Sequence, residues 1–102
     1  MDQPPETETN PRETMTKVTR LLKASMAEKK DMTVAQVLTV FYAIETGGLT
    51  QKSLSDKLGI TEGAVSRNVQ KLGPDGTGCL LIKNGKVIAD PHVTTEILEL
   101  LR

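Results

Sequence analysis

The stretch that decides the fold is residues 53–73, SLSDKLGITEGAVSRNVQKLG. It contains two short helical patterns that are separated by a corner at Gly59, with the apolar residue Ile60 directly after it. Glycine tolerates the positive φ that a sharp corner requires, and Thr61 is a favourable N-cap for the second helix. Ser55 is small enough to let that helix cross closely. The stretch therefore predicts two helices that meet at a tight corner.

The second of these helices, over residues 61–72, has one apolar face and one polar face. At about 100° per residue, Val65, Val69 and Leu72 fall within a narrow arc, so we expect them to be buried. The opposite arc contains no acidic and no large apolar residue. It consists of Gly63, Ser66, Arg67, Gln70 and Lys71.

Three helices are predicted before this one. Apolar residues recur at helical spacing from Arg12 to about residue 30, and again over residues 34–46. The buried face predicted for the helix at 34–46 consists of Val34, Val37, Leu38, Phe41 and Ile44. Thr50 is expected to cap the third helix, which ends near Leu58.

Residues 79–90 predict a β-hairpin, because Asn84-Gly85 between two β-rich runs favours a two-residue turn. A final helix is predicted from about Thr94 to Leu101. A core of three helices followed by a two-stranded wing is a winged helix-turn-helix. We therefore predict a mostly α fold of this class, with a small β-hairpin and flanking N- and C-terminal helices.

The chain divides into four predicted segments: a disordered acidic tail at 1–11, an N-terminal helix at 12–32, the winged helix-turn-helix at 33–90, and a C-terminal helix at 91–102. Both terminal helices carry apolar stripes that a domain this small has little surface to cover. We therefore expect an isologous homodimer in which they pack across a two-fold axis. The stripes are Met15, Val18, Leu22 and Met26, and Val93, Ile97, Leu100 and Leu101.

The composition narrows the class of protein. The formal net charge is zero, but Asp2, Glu6 and Glu8 lie in the tail, so residues 12–102 carry 13 basic and 10 acidic side chains. A mild basic excess of this kind is compatible with a nucleic-acid partner. No apolar run is long enough to cross a bilayer, and the acidic, proline-rich N-terminus does not resemble a secretory signal. We expect a cytoplasmic protein without membrane contact.

Nothing in the sequence indicates an enzyme, a metal site or a cofactor. The carboxylates are scattered, and the segment GPDGTG at 73–78 lacks the lysine and following helix of a phosphate loop, so we predict a turn there. Cys79 opens an apolar strand and is predicted to be a small core residue, whereas His92 is predicted to lie in a surface loop.

The run from Leu49 to Leu72 resembles the helix-turn-helix of MarR-type winged-helix transcriptional regulators. The resemblance extends over about residues 33–90 and implies a homodimer that reads a two-fold-symmetric operator, often as a repressor. Asn68 stands where the family usually has an apolar residue. The flanking helices are shorter than those that form the family's ligand pocket, so we do not expect a small-molecule effector. The matching motifs are Thr33-Val34-Ala35-Gln36, Leu49-Thr50, Leu58-Gly59-Ile60 and Val65-Ser66-Arg67.

These observations predict a sequence-specific regulator that binds double-stranded DNA. With the helix at 61–72 in the major groove, Arg67 is expected to pair with guanine and Gln70 to read adenine. Gly63 contributes by letting the start of this helix approach the DNA closely. The remaining predicted contacts of the helices, to bases or to the backbone, are Thr50, Gln51, Thr61, Ser66 and Lys71. The wing at 79–90 is expected to contact the backbone or the minor groove through Lys83 and Lys86.

A winged helix can also serve as a protein-interaction module in a transcription or replication assembly. The compact wing and the zero net charge leave this alternative open. The absence of acidic residues from the exposed face of the helix at 61–72 favours DNA.

Overall fold

The computed structural model describes residues 10–28 and 32–102, and it describes the side chains of residues 10–23 and 32–102. The fold is mostly α-helical with a two-stranded antiparallel hairpin, as predicted for a winged helix-turn-helix. The described elements are α1 (Pro11–Glu28), α2 (Val34–Thr46), α3 (Gln51–Leu58), α4 (Glu62–Leu72), β1 (Leu80–Lys83), β2 (Lys86–Ala89) and α5 (Pro91–Leu100).

Threonine side chains cap the three helices of the central domain. Thr33 and Gln36 form a reciprocal capping box: the Thr33 hydroxyl accepts from the Gln36 amide at 3.2 Å, and Gln36 Oε1 accepts from the Thr33 amide at 3.1 Å. Thr50 Oγ1 accepts from the Ser53 amide, and Thr61 Oγ1 accepts from the Ala64 amide, both at 3.1 Å. The predicted caps of α3 and α4 are confirmed.

The corner between α3 and α4 is fixed by hydrogen bonds to Ser55. Gly59 has a φ of 69°, and its amide donates to the Ser55 carbonyl at 2.9 Å. The Ser55 hydroxyl in turn donates to the Ile60 carbonyl at 2.5 Å. Ile60 is half-buried and packs against the core. Ser55 therefore holds the corner through its polar atoms as well as through its small size.

The core lies between α2, α3, α4 and the hairpin. Leu54, Leu72, Leu80 and Val87 have no measurable exposure, and Val65 is 1% exposed. Cys79 belongs to the same cluster, as predicted for a small core residue. With aromatic residues at only 2% of the chain, aliphatic side chains supply nearly all of this buried surface, which is the main driving force for folding.

The hairpin has the predicted two-residue turn at Asn84-Gly85, where φ is 54° and 75°. Positive φ at both central residues matches the right-handed twist of the flanking strands. The register pairs Lys83 directly with Lys86, as the turn predicts. Since both side chains are exposed, two like charges face each other at the tip of the wing.

A third, single-residue extended element joins the hairpin at Leu49. The Leu49 amide donates to the Val87 carbonyl at 3.0 Å, and the Val87 amide donates to the Leu49 carbonyl at 2.7 Å. This bridge was not predicted, because one residue between a helix end and a helix cap carries no strand pattern. It fixes the connection between α2 and α3 against β2.

The buried face predicted for α2 is wrong in part. Val34 is 76% exposed and Leu38 is 38% exposed, while Phe41 and Ile44 are half-buried. The helix is apolar around much of its circumference, so its spacing pattern fits more than one face. The residues that are buried are Gln36, Val37, Thr39, Val40 and Ala43.

The last helix begins earlier than predicted, at Pro91 instead of Thr94. Asp90 is its N-cap, since one carboxylate oxygen accepts from the amides of His92 at 3.0 Å and Val93 at 3.2 Å. Proline suits the first helical position because that position needs no amide donor. The expected surface loop at His92 is therefore the first turn of α5, where the exposed imidazole lies 2.9 Å from Glu96.

The first helix begins at Pro11, where the Asn10 side chain accepts from the Arg12 amide at 2.8 Å. Leu21 of α1 is buried, and the helix packs against α5. Met15 and Leu22 are 62% and 43% exposed. The disordered tail was predicted over residues 1–11, but Pro11 is the first residue of α1 and Asn10 caps it. Residues 1–9 lie outside the described residues, as do residues 29–31 after α1.

Candidate nucleic-acid interface

Helix α4 has the two faces that its sequence predicts. Val65, Val69 and Leu72 are buried in the core. The opposite side is solvent-exposed, and Glu62, the only acidic residue of the helix, lies in the first turn, where a negative charge suits the helix dipole. The exposed side, called here the α4 outer face, consists of Gly63, Ser66, Arg67, Gln70 and Lys71.

The guanidinium of Arg67 lies back along α4 towards the start of the helix. A Cβ placed on Gly63 would be 3.8 Å from Arg67 Nη1 and 3.9 Å from Thr61 Oγ1. Among the described residues, Arg67 forms no ion pair. An exposed guanidinium without an internal carboxylate keeps its donors available for an external acceptor such as a phosphate or a guanine edge.

The first turns of α3 and α4 provide backbone amides that the helices themselves do not use. Thr50 and Thr61, the two N-caps, are exposed, and Gln51 at the start of α3 is half-buried. Each threonine hydroxyl satisfies one amide. The remaining first-turn amides, together with the positive end of each helix dipole, are suited to a phosphate group.

The bridge at Leu49 brings the start of α3 beside the wing. A Cβ on Gly48 would lie 3.4 Å from Ile88 Cγ1 and 3.8 Å from Lys86 Cβ, so the two segments are in close contact. Thr50 and Gln51 therefore begin α3 next to the start of strand β2, close to Lys86, which pairs with Lys83 across the hairpin turn. The ten predicted residues thus fall into two groups: the α4 outer face with Thr61, and the start of α3 together with the adjoining wing lysines.

Sequence reasoning missed a polar contact that orients α4. Gln36 Nε2 donates to Asn68 Oδ1 at 3.2 Å, across 32 positions of the chain. Gln36 is only 6% exposed. Asn68 is half-buried, and of its neighbours in the sequence Arg67 is exposed and Val69 is buried. Asn68 thus meets a polar partner at the position where a MarR-type helix usually has an apolar residue. The sequence pattern Thr33-x-x-Gln36 indicates that Gln36 takes part in a capping box. No local pattern indicates its contact with Asn68.

The segment at 73–78 is a turn, as predicted, and it closes the C-terminus of α4. The Thr77 amide donates to the Lys71 carbonyl at 2.9 Å, and the Gly78 amide donates to the Gly73 carbonyl at 2.9 Å. A Cβ on Gly76 would lie 1.9 Å from the Lys71 carbonyl oxygen, which is far inside van der Waals contact. Only glycine fits at Gly76, because the chain passes directly beneath the end of the helix.

Other features of the described residues add no second site. Lys57 of α3 places its ammonium 5.4 Å from the centre of the Tyr42 ring, a cation–π contact. Residues 10–28 and 32–102 contain no group of three or more His, Cys, Asp or Glu side chains arranged to hold a metal ion. No helix within the same residues is long and apolar enough to cross a membrane.

Comparison with known proteins bears on the central part of this interface. No curated protein and no solved structure matches the chain. Residues 40–76, which contain α3, the corner and α4, match a family model described as winged helix-turn-helix DNA-binding. This match and the observed fold together support a DNA-binding winged helix-turn-helix.

Proposed function

We propose that the chain is a non-enzymatic transcriptional regulator that binds double-stranded DNA in a sequence-specific manner. The observation that carries this proposal is the α4 outer face, which is exposed, has no acidic residue, and presents an arginine that is unpaired among the described residues. An α-helix fits the major groove of B-form DNA, where each base pair presents a distinct pattern of donors and acceptors. The family match over residues 40–76 supports the same assignment.

Each residue of the α4 outer face has a role in this arrangement. Arg67 pairs with guanine O6 and N7, and Gln70 reads adenine, the contacts for which these side chains are best suited. Ser66 contacts a base or a phosphate, and Lys71 contacts the backbone. Gly63 keeps the start of the helix free of side-chain atoms, so that the backbone of α4 approaches the DNA closely.

The start of α3 and the wing contact the DNA backbone in this proposal. Thr50, Gln51 and Thr61 lie at helix N-termini, which favour phosphate. Lys83 and Lys86 face each other at the wing tip, and a phosphate between them would neutralise a pair that otherwise costs up to about 1 kcal/mol. These contacts fix the register of the protein on the duplex, while the α4 outer face supplies sequence specificity.

We further propose a MarR-like homodimer that acts as a repressor on a two-fold-symmetric operator. The support for a dimer is the large apolar side chains that the monomer leaves exposed on its terminal helices. Two copies related by a two-fold axis would present two α4 helices to successive major grooves, about one DNA turn apart. The exposed side chains are Met15 and Leu22 of α1, Leu98 of α5 and its C-cap Leu101. Val93 and Ile97, which the sequence predicted at the dimer contact, instead pack against the core of the monomer.

Selection of bound sequences from a random DNA pool, followed by quantitative binding to the selected site and to random DNA, tests the proposed function. Arg67→Ala is expected to weaken binding to the selected site by about 1–3 kcal/mol while retaining most binding to random DNA. Arg102→Ala is the matched control, because it removes an exposed arginine far along the chain from α4. Failure of the selection to enrich any sequence, or equal losses on both DNAs, would contradict base reading by Arg67. Absence of DNA binding altogether would favour a protein-interaction module.

A further inference from the structure

Helix α2 carries a second apolar face that the central domain does not cover. Val34, Leu38 and Phe41 follow one another at intervals of four and three residues, so they lie along one side of the helix. This side is opposite the buried face that contains Gln36, Val40 and Ala43. Val34 is 76% exposed and Leu38 is 38% exposed. We call these three residues the α2 outer stripe.

The α2 outer stripe ends next to an acidic side chain. Glu45 lies four residues after Phe41 and is exposed, and α2 contains no basic residue. An apolar stripe of similar length that is flanked by positive charge would complement this surface.

Helix α1 of the same sequence has these properties. Met15 and Leu22 are seven residues apart, so they share one side of the helix, and both are exposed. This side differs from that of Leu21, which is buried where α1 packs against α5. At about 100° per residue, Arg12 and Lys23 flank this side of the helix. Lys17 lies on the far side, where it pairs with Glu13 at 3.8 Å.

We propose that α1 of a second copy of this chain covers the α2 outer stripe. A two-fold interface requires that one chain carry both complementary surfaces, and the basic, apolar α1 and the acidic, apolar α2 fulfil this requirement. Each copy gives one α1 and receives one, so the contact is formed twice per dimer. The inference deepens the homodimer of the proposed function: it assigns to the interface a surface on α2, in addition to the terminal helices.

The mass of the full-length protein in solution tests this inference, measured without DNA by light scattering after size-exclusion chromatography at micromolar concentrations. The wild-type chain is expected at twice the 11.1 kDa chain mass. Leu38→Glu and Met15→Glu are both expected at the mass of one chain, since each places a carboxylate in the apolar contact. Ile82→Glu is the control, because Ile82 is an equally exposed apolar residue on the wing, and this variant is expected to remain dimeric.

Far-UV circular dichroism establishes that each variant is folded. Val34→Glu provides a second α2 variant, since an acidic residue in the first turn also favours the helix itself. A monomeric wild type, or dimeric Leu38→Glu and Val34→Glu variants, would overturn the proposal. Monomeric α2 variants with a dimeric Met15→Glu variant would overturn α1 as the occupant. Because no DNA is present, failure here is distinguishable from failure of DNA binding, which the selected-site assay measures separately.

Discussion

Replacing Asn68 with alanine removes the hydrogen bond between α4 and the buried amide of Gln36. In the wild-type protein Gln36 Nε2 donates to Asn68 Oδ1 at 3.2 Å, and Gln36 is 6% exposed, so water has little access to the amide group. A buried donor that loses its acceptor costs about 1–3 kcal/mol. The gain in helix propensity from asparagine to alanine, up to about 0.7 kcal/mol, offsets part of this loss.

Ser66→Ala is the matched control for this prediction. Ser66 lies in the same helix and is exposed, and its replacement changes helix propensity in the same direction without affecting Gln36. The difference in unfolding free energy between the two variants therefore reports on the hydrogen bond to Gln36 together with the packing of the half-buried Asn68 side chain. We expect Asn68→Ala to be less stable than Ser66→Ala by about 1–3 kcal/mol. For a domain of this size, each kcal/mol lowers the melting temperature by about 4–8 °C.

Urea denaturation followed by far-UV circular dichroism measures both free energies, provided that the slopes of the transitions agree. A double-mutant cycle with Gln36→Ala then gives the coupling between the two side chains, expected at about 0.5–3 kcal/mol. Equal stability of Asn68→Ala and Ser66→Ala would refute the view that the Gln36–Asn68 contact stabilises the packing of α4 on α2.

Three further predictions concern the turn after α4, the start of α4 and the wing. Gly76→Ala is expected to destabilise the protein strongly, because its Cβ would meet the Lys71 carbonyl; a melting temperature equal to that of the wild type would disprove this close approach. Gly63→Leu is expected to abolish DNA binding. Its melting temperature is expected to equal or exceed the wild-type value, because the position is exposed and has a negative φ. Retained DNA binding would show that Gly63 does not lie in the interface. Replacing Lys83 and Lys86 with glutamine is expected to reduce the slope of log affinity against log salt concentration by about 0.9 for each phosphate that these lysines neutralise. An unchanged slope would show that neither lysine contacts a phosphate.

The parts of the fold that were predictable depend on chemistry within a few residues. Thr50 and Thr61 cap helices because their hydroxyls reach an amide three residues on, and Gly59 permits a left-handed corner. Asn84-Gly85 specifies its turn in the same local way. The start of α5 was missed, although Asp90-Pro91 carries a local capping signal.

The parts that were not predictable depend on contacts between distant residues. The outer and buried faces of α2 both have apolar residues at helical spacing, so only packing against α4 and the hairpin decides between them. The Leu49–Val87 bridge and the Gln36–Asn68 contact join positions more than 30 residues apart. The α4 outer face was predictable in composition, because Val65, Val69 and Leu72 leave only one side of the helix for solvent.

The central claim is that Arg67 reads a base in the major groove, and a substitution in the DNA tests it most directly. The measurement compares the affinity for a selected site with the affinity for the same site carrying 7-deazaguanine at one guanine at a time, which removes only the N7 acceptor. At one guanine of each half-site, 7-deazaguanine is expected to weaken binding of the wild-type protein by up to about 1–3 kcal/mol, the value of a full bidentate pair. The Arg67→Ala variant binds the unmodified site more weakly, and 7-deazaguanine at this position is expected to cause no further loss of its affinity. Wild-type binding that is insensitive to 7-deazaguanine at every position, or an equal loss for both proteins, would contradict the claim.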